Sequence, residues 1–277
     1  MKAADFDYYR VDSIEDALER LGELGEDAKI LAGGQSLVPM MNFRLARPAA
    51  LVDITRVEAL RGIERHNGEL RIRAATTHAE VEHAVELEGG YEVMRAAAKW
   101  VGHEPIRSRG TFGGSLAHAD PTAEWCLIAV ALGAVIEVAG PQGERELPAE
   151  EFLLGYFTTA LEPDEIVTAV RFPAPCKRAA MQEFARRHGD FALVAVAVAL
   201  PDDGKPRIVL GGVGDVPVRA REAERLLAGG ESPEEAARAA AAEIEPGADL
   251  HASPDYRRRL ATTLVRRALE EAAKNGS

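Results

Sequence analysis

Apolar positions recur along this chain at two periods, and the switches between them mark its elements. In "IEDALERLGEL", Ile14, Ala17, Leu18, Leu21 and Leu24 fall on one helical face, with Ser13 placed to cap it. "AKILA" is a short apolar strand. "LVPMMNFRLARP" reads as a short helix or mixed turn stopped by Pro48, and "ALVDI" is the next strand. A second unit begins near Arg61. "ELRIRAA" alternates like a strand, Thr77 and Glu80 form a capping-box pair, and "GYEVMRAAAKWVG" is a further helix. Asp120 before Pro121 predicts an N-cap followed by proline at the first position of the helix "PTAEWCLIAVALG". "AVIEVAG" and "EIVTAVRFP" are strands, and "PAPCKRAA" looks like a boundary. Beyond it, "FALVAVAVAL" and "KPRIVLGGVG" are strands joined by the turn "PDDGKP". The remainder is helical, with a capping box at Ser232 and Glu235 around Pro233. Strands followed by helices give an α+β class for this last part.

Composition narrows the reading. The 277 residues are 47% apolar, enough for two or three domains. The longest uncharged apolar run, "FALVAVAVALP", falls far short of the ~20 residues that span a bilayer. No basic region followed by an apolar one opens the chain, so a cytoplasmic protein is expected. The net charge of −12 speaks against a nucleic-acid platform, which needs a basic face. Cys126 and Cys176 form no ligand cluster, so neither an iron–sulfur cluster nor structural zinc is expected here.

Two element boundaries carry a Gly-Gly pair followed by Ser: Ala32-Gly33-Gly34-Gln35-Ser36 and Thr111-Phe112-Gly113-Gly114-Ser115. Glycine permits positive φ and lets a ligand approach the backbone. Successive amides in such turns form a concave anion site, and Ser36, Thr111 and Ser115 add hydroxyls. Neither loop matches G-x-G-x-x-G or the P-loop. Each alone is more often an ordinary turn than a phosphate site. As a pair, they suggest a clamp for the two phosphates of a dinucleotide. Arg107 and Arg109 flank the second loop, either to steer a phosphate or nicotinamide acceptor or to form surface ion pairs.

The stretches "AKILAGGQSLVPMMNFRLARPAALVDI" and "IRSRGTFGGSLAHADPTAEW" resemble the FAD-binding medium subunit of molybdenum hydroxylases, the aerobic carbon monoxide dehydrogenase and xanthine dehydrogenase family. "RHGDFALVAVAV" and "GGVGDVPVRA" extend the resemblance through the C-terminal part. The resemblance implies an α+β fold: a two-subdomain FAD-binding domain of the vanillyl-alcohol-oxidase (PCMH) type, then a C-terminal domain of antiparallel strands plus helices. The expected divisions are 1–57, 58–175 and 176–277. It implies FAD contacts from Lys29, Ile30, Leu31, Ala32, Gly33, Gly34, Gln35 and Ser36 on one side of the pyrophosphate. Thr111, Phe112, Gly113, Gly114 and Ser115 would lie on the other, with the Phe112 ring pressing on the flavin. Val101 and Val167 would be apolar contacts, and Glu124 would accept hydrogen bonds from cofactor hydroxyls. Strand core and a first-turn helix carboxylate are the plain readings of Val167 and Glu124. No residue here is expected to be catalytic or to bind metal, and His118 reads as a packing residue.

The implied role is electron transfer, from a molybdenum cofactor in a large subunit through [2Fe–2S] clusters in a small subunit to FAD in this chain, within a hetero-oligomer, a dimer of three-subunit units being one arrangement. A stand-alone FAD-dependent oxidoreductase of the same fold and a non-catalytic assembly protein that has lost FAD are the alternatives. The chain departs from the family pattern at Gln35, where His is common, and at Ser115, where Asn is common. Gln182 and Glu183 stand where relatives place a lysine, which implies a lower flavin potential.

Overall fold

The computed structural model describes residues 2–275. The first sheet is parallel, with β1 (Asp7–Arg10) and β2 (Ala28–Leu31) flanking β3 (Ala50–Asp53). Between β1 and β2 runs α1 (Ile14–Leu24), whose Ser13 side chain accepts from the Asp16 amide. It buries Ala17 and Leu21 on the sheet. A crossover is needed to bring β3 parallel to β2, and α2 (Leu37–Asn42) lies in it. The first glycine pair therefore leaves the C-terminal end of a parallel strand, the end at which open α/β sheets receive ligands.

The second sheet is antiparallel, in the order β4-β5-β10-β6-β7. β4 (Ile63–His66) and β5 (Glu69–Arg73) form a hairpin, followed by α3 (His78–His83), α4 (Glu92–Ala98), α5 (Glu104–Arg107), α6 (Phe112–His118) and α7 (Glu124–Ala131). The chain returns through β6 (Val135–Gly140), β7 (Gly143–Pro148), α8 (Ala149–Phe152) and the small ladder of β8 (Leu153–Gly155) with β9 (Thr158–Thr159). β10 (Ile166–Phe172) then fills the centre of the sheet. The capping box at Thr77 and Glu80 forms as expected.

The start of α7 is a correction. Asp120 does not cap it. Its carboxylate accepts from the amide and hydroxyl of Thr122 in an Asx turn, and the helix begins only at Glu124, after Ala123. Local side-chain bonding of this kind competes with helix initiation.

The C-terminal part is a four-stranded antiparallel sheet rather than two strands. It comprises β11 (Ala179–Phe184), β12 (Val194–Ala199), β13 (Arg207–Gly211) and β14 (Val218–Arg219), covered by α9 (Arg221–Ala228), α10 (Pro233–Ala242) and α11 (Pro254–Asn275). The sequence "VAVAVA" of β12 is buried on both faces. Val194, Val196 and Val198 pack under the C-terminal helices, whereas Ala195, Ala197 and Ala199 face the central core that includes α7. Alanine and Gly211 keep that face shallow, and Leu127 of α7 settles against Gly211. The two halves thus share a continuous apolar seam. Among the described residues no helix is long and apolar enough to cross a membrane.

A larger side chain on the shallow face forces α7 away from the sheet. Ala197→Leu is expected to cost about 1–3 kcal/mol, read from the urea unfolding midpoint. An unchanged midpoint would show that the seam is not tightly packed.

Candidate cofactor-binding site

The two glycine loops meet. A Cβ on Gly33 would press into the carbonyl oxygen of Arg109 and lie 2.6 Å from the Cα of Gly110. A Cβ on Gly114 would lie 2.6 Å from the Thr111 hydroxyl oxygen and 3.7 Å from the Ala32 methyl. Gly113 has the same restriction against Ala74. Gly34 has φ +70°, in the left-handed region. Gly33 therefore lets the two loops close on one another, whereas Gly113 and Gly114 fit the second loop against Ala74 and its own Thr111.

The loops differ in what they offer a ligand. In the second loop the amides from Phe112 to Ser115 are already used. Phe112 donates to the Thr76 carbonyl at 2.8 Å and Gly113 to the Ala74 carbonyl at 2.9 Å. Gly114 donates to the Thr111 hydroxyl at 3.2 Å and Ser115 to the Thr111 carbonyl at 3.0 Å. The expectation of an amide-lined anion nest there is therefore corrected: this loop presents hydroxyls and a wall free of Cβ atoms. In the first loop the amides of Gly33, Gly34, Gln35 and Ser36 donate to no group among the described residues. Four successive open donors suit an anionic oxygen. Gln35 braces this loop, its side-chain amide donating to the Gly33 carbonyl at 3.0 Å.

Behind the second loop stands a residue that sequence reading missed. The buried His78 accepts from the Trp125 indole N–H at Nδ1, at 2.9 Å, while its backbone amide donates to the Gly110 carbonyl at 3.0 Å. Its Nε2 lies where a Cβ on Gly110 would go. Burial, helped by the positive charge of Arg107, pushes its pKa down to about 4, so it stays neutral at physiological pH. In the sequence it looks like one more residue of a capped helix.

The remaining candidates divide. Ile30 and Ala32 pack partly into the core of the first sheet, and Lys29 projects from β2 as an exposed side chain. The Phe112 ring is fully buried against Trp125 and Phe172, so its expected stacking on a flavin is corrected; it supports the loop from behind. Val101 and Val167 are buried in the central core. Arg107 pairs with Glu82 at 3.0 Å and reaches the Gly102 carbonyl at 3.1 Å, a brace rather than a free cation. His118 stacks on Phe157, with ring centroids 4.7 Å apart. The Cys126 and Cys176 thiols are free and buried, and among the described residues no group of His, Cys, Asp and Glu is placed to hold a metal ion.

Glu124 is half-buried and opens α7, and the next residues of that helix touch the second loop: the Trp125 ring packs on Phe112 and the Cys126 thiol lies 3.9 Å from the Ser115 carbonyl. Burial and the nearby Asp120 charge raise its pKa to about 7. Glu183 of β11 is raised further, to about 9, by burial and by Glu124. A carboxyl with a raised pKa in the folded state contributes stability below the usual carboxylate range that is lost as pH rises towards the raised value. The stability of Glu183→Gln relative to the unaltered protein is therefore expected to grow from pH 5 to pH 9, by roughly 2–4 °C in melting temperature for each kcal/mol of relieved charge burial. A pH-independent difference would contradict this.

Comparison with known proteins gives the family of the chain. Residues 4–175 match the model of the FAD binding domain in molybdopterin dehydrogenase, and residues 179–272 match that of the CO dehydrogenase flavoprotein C-terminal domain. The chain belongs to this family of FAD-binding subunits of molybdenum hydroxylases. It is 40% identical to the 6-hydroxypseudooxynicotine dehydrogenase complex subunit alpha of Paenarthrobacter nicotinovorans, over 98% of this chain and 96% of that protein. Among solved structures it superposes on carbon monoxide dehydrogenase from Hydrogenophaga pseudoflava with a TM-score of 0.94 at 36% identity, covering 99% of both chains. Quinoline 2-oxidoreductase from Pseudomonas putida 86 gives 0.93 at 33% identity, covering the whole of both chains.

Proposed function

We propose that this chain is the FAD-carrying electron-transfer subunit of a multisubunit molybdenum hydroxylase, set between [2Fe–2S] clusters of a small subunit and a terminal acceptor, with the molybdenum cofactor in a large subunit. The observation that carries the reading is the pairing of four open amides at Gly33–Ser36 with the hydroxyl-bearing wall of the second loop. Bound FAD accepts electrons one at a time and gives up two, which is the chemistry such a junction needs. The protein's part is to hold and orient it.

In this reading the amides of Gly33, Gly34, Gln35 and Ser36 receive the pyrophosphate oxygens, and Thr111 and Ser115 donate hydroxyl hydrogens from the facing side. Lys29, Ile30, Leu31 and Ala32 line the approach along β2. Phe112, Gly113 and Gly114 form the wall through their backbone. Glu124 accepts from cofactor hydroxyls, and Val101 and Val167 back the ring system. Residues 1–57 and 58–175 supply one loop each, and 176–277 closes over the seam. The subunit names of its relatives, such as the alpha subunit of a dehydrogenase complex, favour an assembly over a stand-alone enzyme.

Gly33→Ala tests the reading, because a methyl group there separates the loops. It is expected to leave a folded chain that binds FAD about 10- to 100-fold more weakly, the equivalent of one or two charge-assisted hydrogen bonds, measured by fluorescence titration. Unaltered affinity would make the glycines ordinary turn residues, and absence of FAD uptake by the unaltered chain would favour an assembly protein.

A further inference from the structure

Arg257 lies in the first turn of α11 and is buried, an uncommon place for a guanidinium. Its Nη1 donates to two carbonyls at once, that of Leu193 and, at 3.0 Å, that of Gly212. Leu193 immediately precedes β12 and Gly212 immediately follows β13, so one side-chain nitrogen ties together the open end of that strand pair. Nη2 donates to Asp249 at 2.6 Å, and Asp249 is itself fixed by the amides of His251 and Ala252, both at 2.8 Å. Nε is buried without a partner among the described residues. A buried cation that is incompletely met is a costly way to fill space. What it supplies is direction: a rigid planar fork holds both carbonyls, which an ammonium on a flexible stem cannot match. Gly212 passes that direction on. It has φ +73°, and a Cβ on it would lie 2.9 Å from the Leu193 carbonyl oxygen. Its amide donates to the Pro121 carbonyl at 3.0 Å. Pro121 stands in the turn between α6, which carries the second glycine loop at its start, and α7, which opens with Glu124.

We propose that Arg257 is a positioning residue for the cofactor site: acting through Gly212 and Pro121, it fixes the turn that delivers Glu124 to the bound dinucleotide. The placement rests on the FAD reading above, in which Glu124 accepts from cofactor hydroxyls. Among the described residues, the Gly212 amide makes the one hydrogen bond from that turn to the C-terminal sheet. The turn's other restraint, the Asp120 carboxylate on Thr122, is local and moves with it. Arg257 holds the Gly212 carbonyl while Pro121 holds the Gly212 amide, so the glycine is fixed on both sides. Without Arg257 its free dihedrals let the amide swing and the turn shift. A hydrogen bond weakens steeply when its geometry is lost, so a displaced Glu124 binds less well.

Fluorescence titration of the purified full chain with FAD, well below the unfolding midpoint of every form, tests this with Arg257→Met, Arg257→Lys and Glu124→Ala, and with each Arg257 variant combined with Glu124→Ala. Arg257→Met is expected to bind FAD about tenfold more weakly, the equivalent of one hydrogen bond to a charged group. Arg257→Lys, which can keep one of the two carbonyls, should recover part of that loss. In the Glu124→Ala background, either Arg257 variant should lower affinity little further, because the residue it positions is gone. Arg257→Lys makes the same comparison should Arg257→Met not fold. An equal loss in both backgrounds would show that Arg257 acts on general packing, and unaltered affinity in the Arg257 variants would likewise overturn its role. Unaltered affinity in Glu124→Ala, or absence of FAD uptake by the unaltered chain, would instead overturn the cofactor reading on which the placement rests.

Discussion

The site depends on one close approach, the backbone of Gly33 against the backbone of Arg109 and Gly110. These segments come from different sheets. The first leaves a parallel strand, and the second is bonded to the segment that follows β5, through the Thr76 and Ala74 carbonyls and the Thr77–Thr111 bridge. No side chain fits where they meet, so glycine there is a packing requirement before it is a binding device. The two loops differ in what they leave free: the amides of Gly33, Gly34, Gln35 and Ser36 donate to no group among the described residues, whereas those of Phe112, Gly113, Gly114 and Ser115 are bonded within the protein.

The supports of that approach are themselves buried and neutral. His78 holds Gly110 through its backbone amide and is fixed by the Trp125 indole, while Phe112 packs between Trp125 and Phe172. Trp125 and Glu124 are adjacent on α7, and α7 lies on the alanine face of β12. The C-terminal half thereby packs on the helix that supports the second loop, and the small side chains on that face of β12 let the helix approach closely.

Local signals in the sequence were legible. Ser13, Thr77 and Ser232 each cap a helix, because a cap involves residues only three positions apart. Pairings between distant residues were not legible. β1, β4, β7 and β11 lack a distinctive pattern, and they become strands through partners elsewhere in the chain. The same limit applied to the site. The two glycine motifs were visible, but which amides remain open depends on carbonyls at Ala74 and Thr76 that only the fold brings near. His78 carried no sequence signal of its own, since burial gives it its character.

The first loop is expected to donate its amides to FAD, whereas those of Phe112, Gly113, Gly114 and Ser115 are already spent within the protein. Amide-resolved hydrogen exchange on the full chain, with and without FAD, tests it directly. Gly33, Gly34, Gln35 and Ser36 should exchange freely in the absence of FAD and become protected when it binds, whereas Phe112, Gly113 and Ser115 should be protected in both states. New protection confined to the second loop, with the first unchanged, would contradict the account.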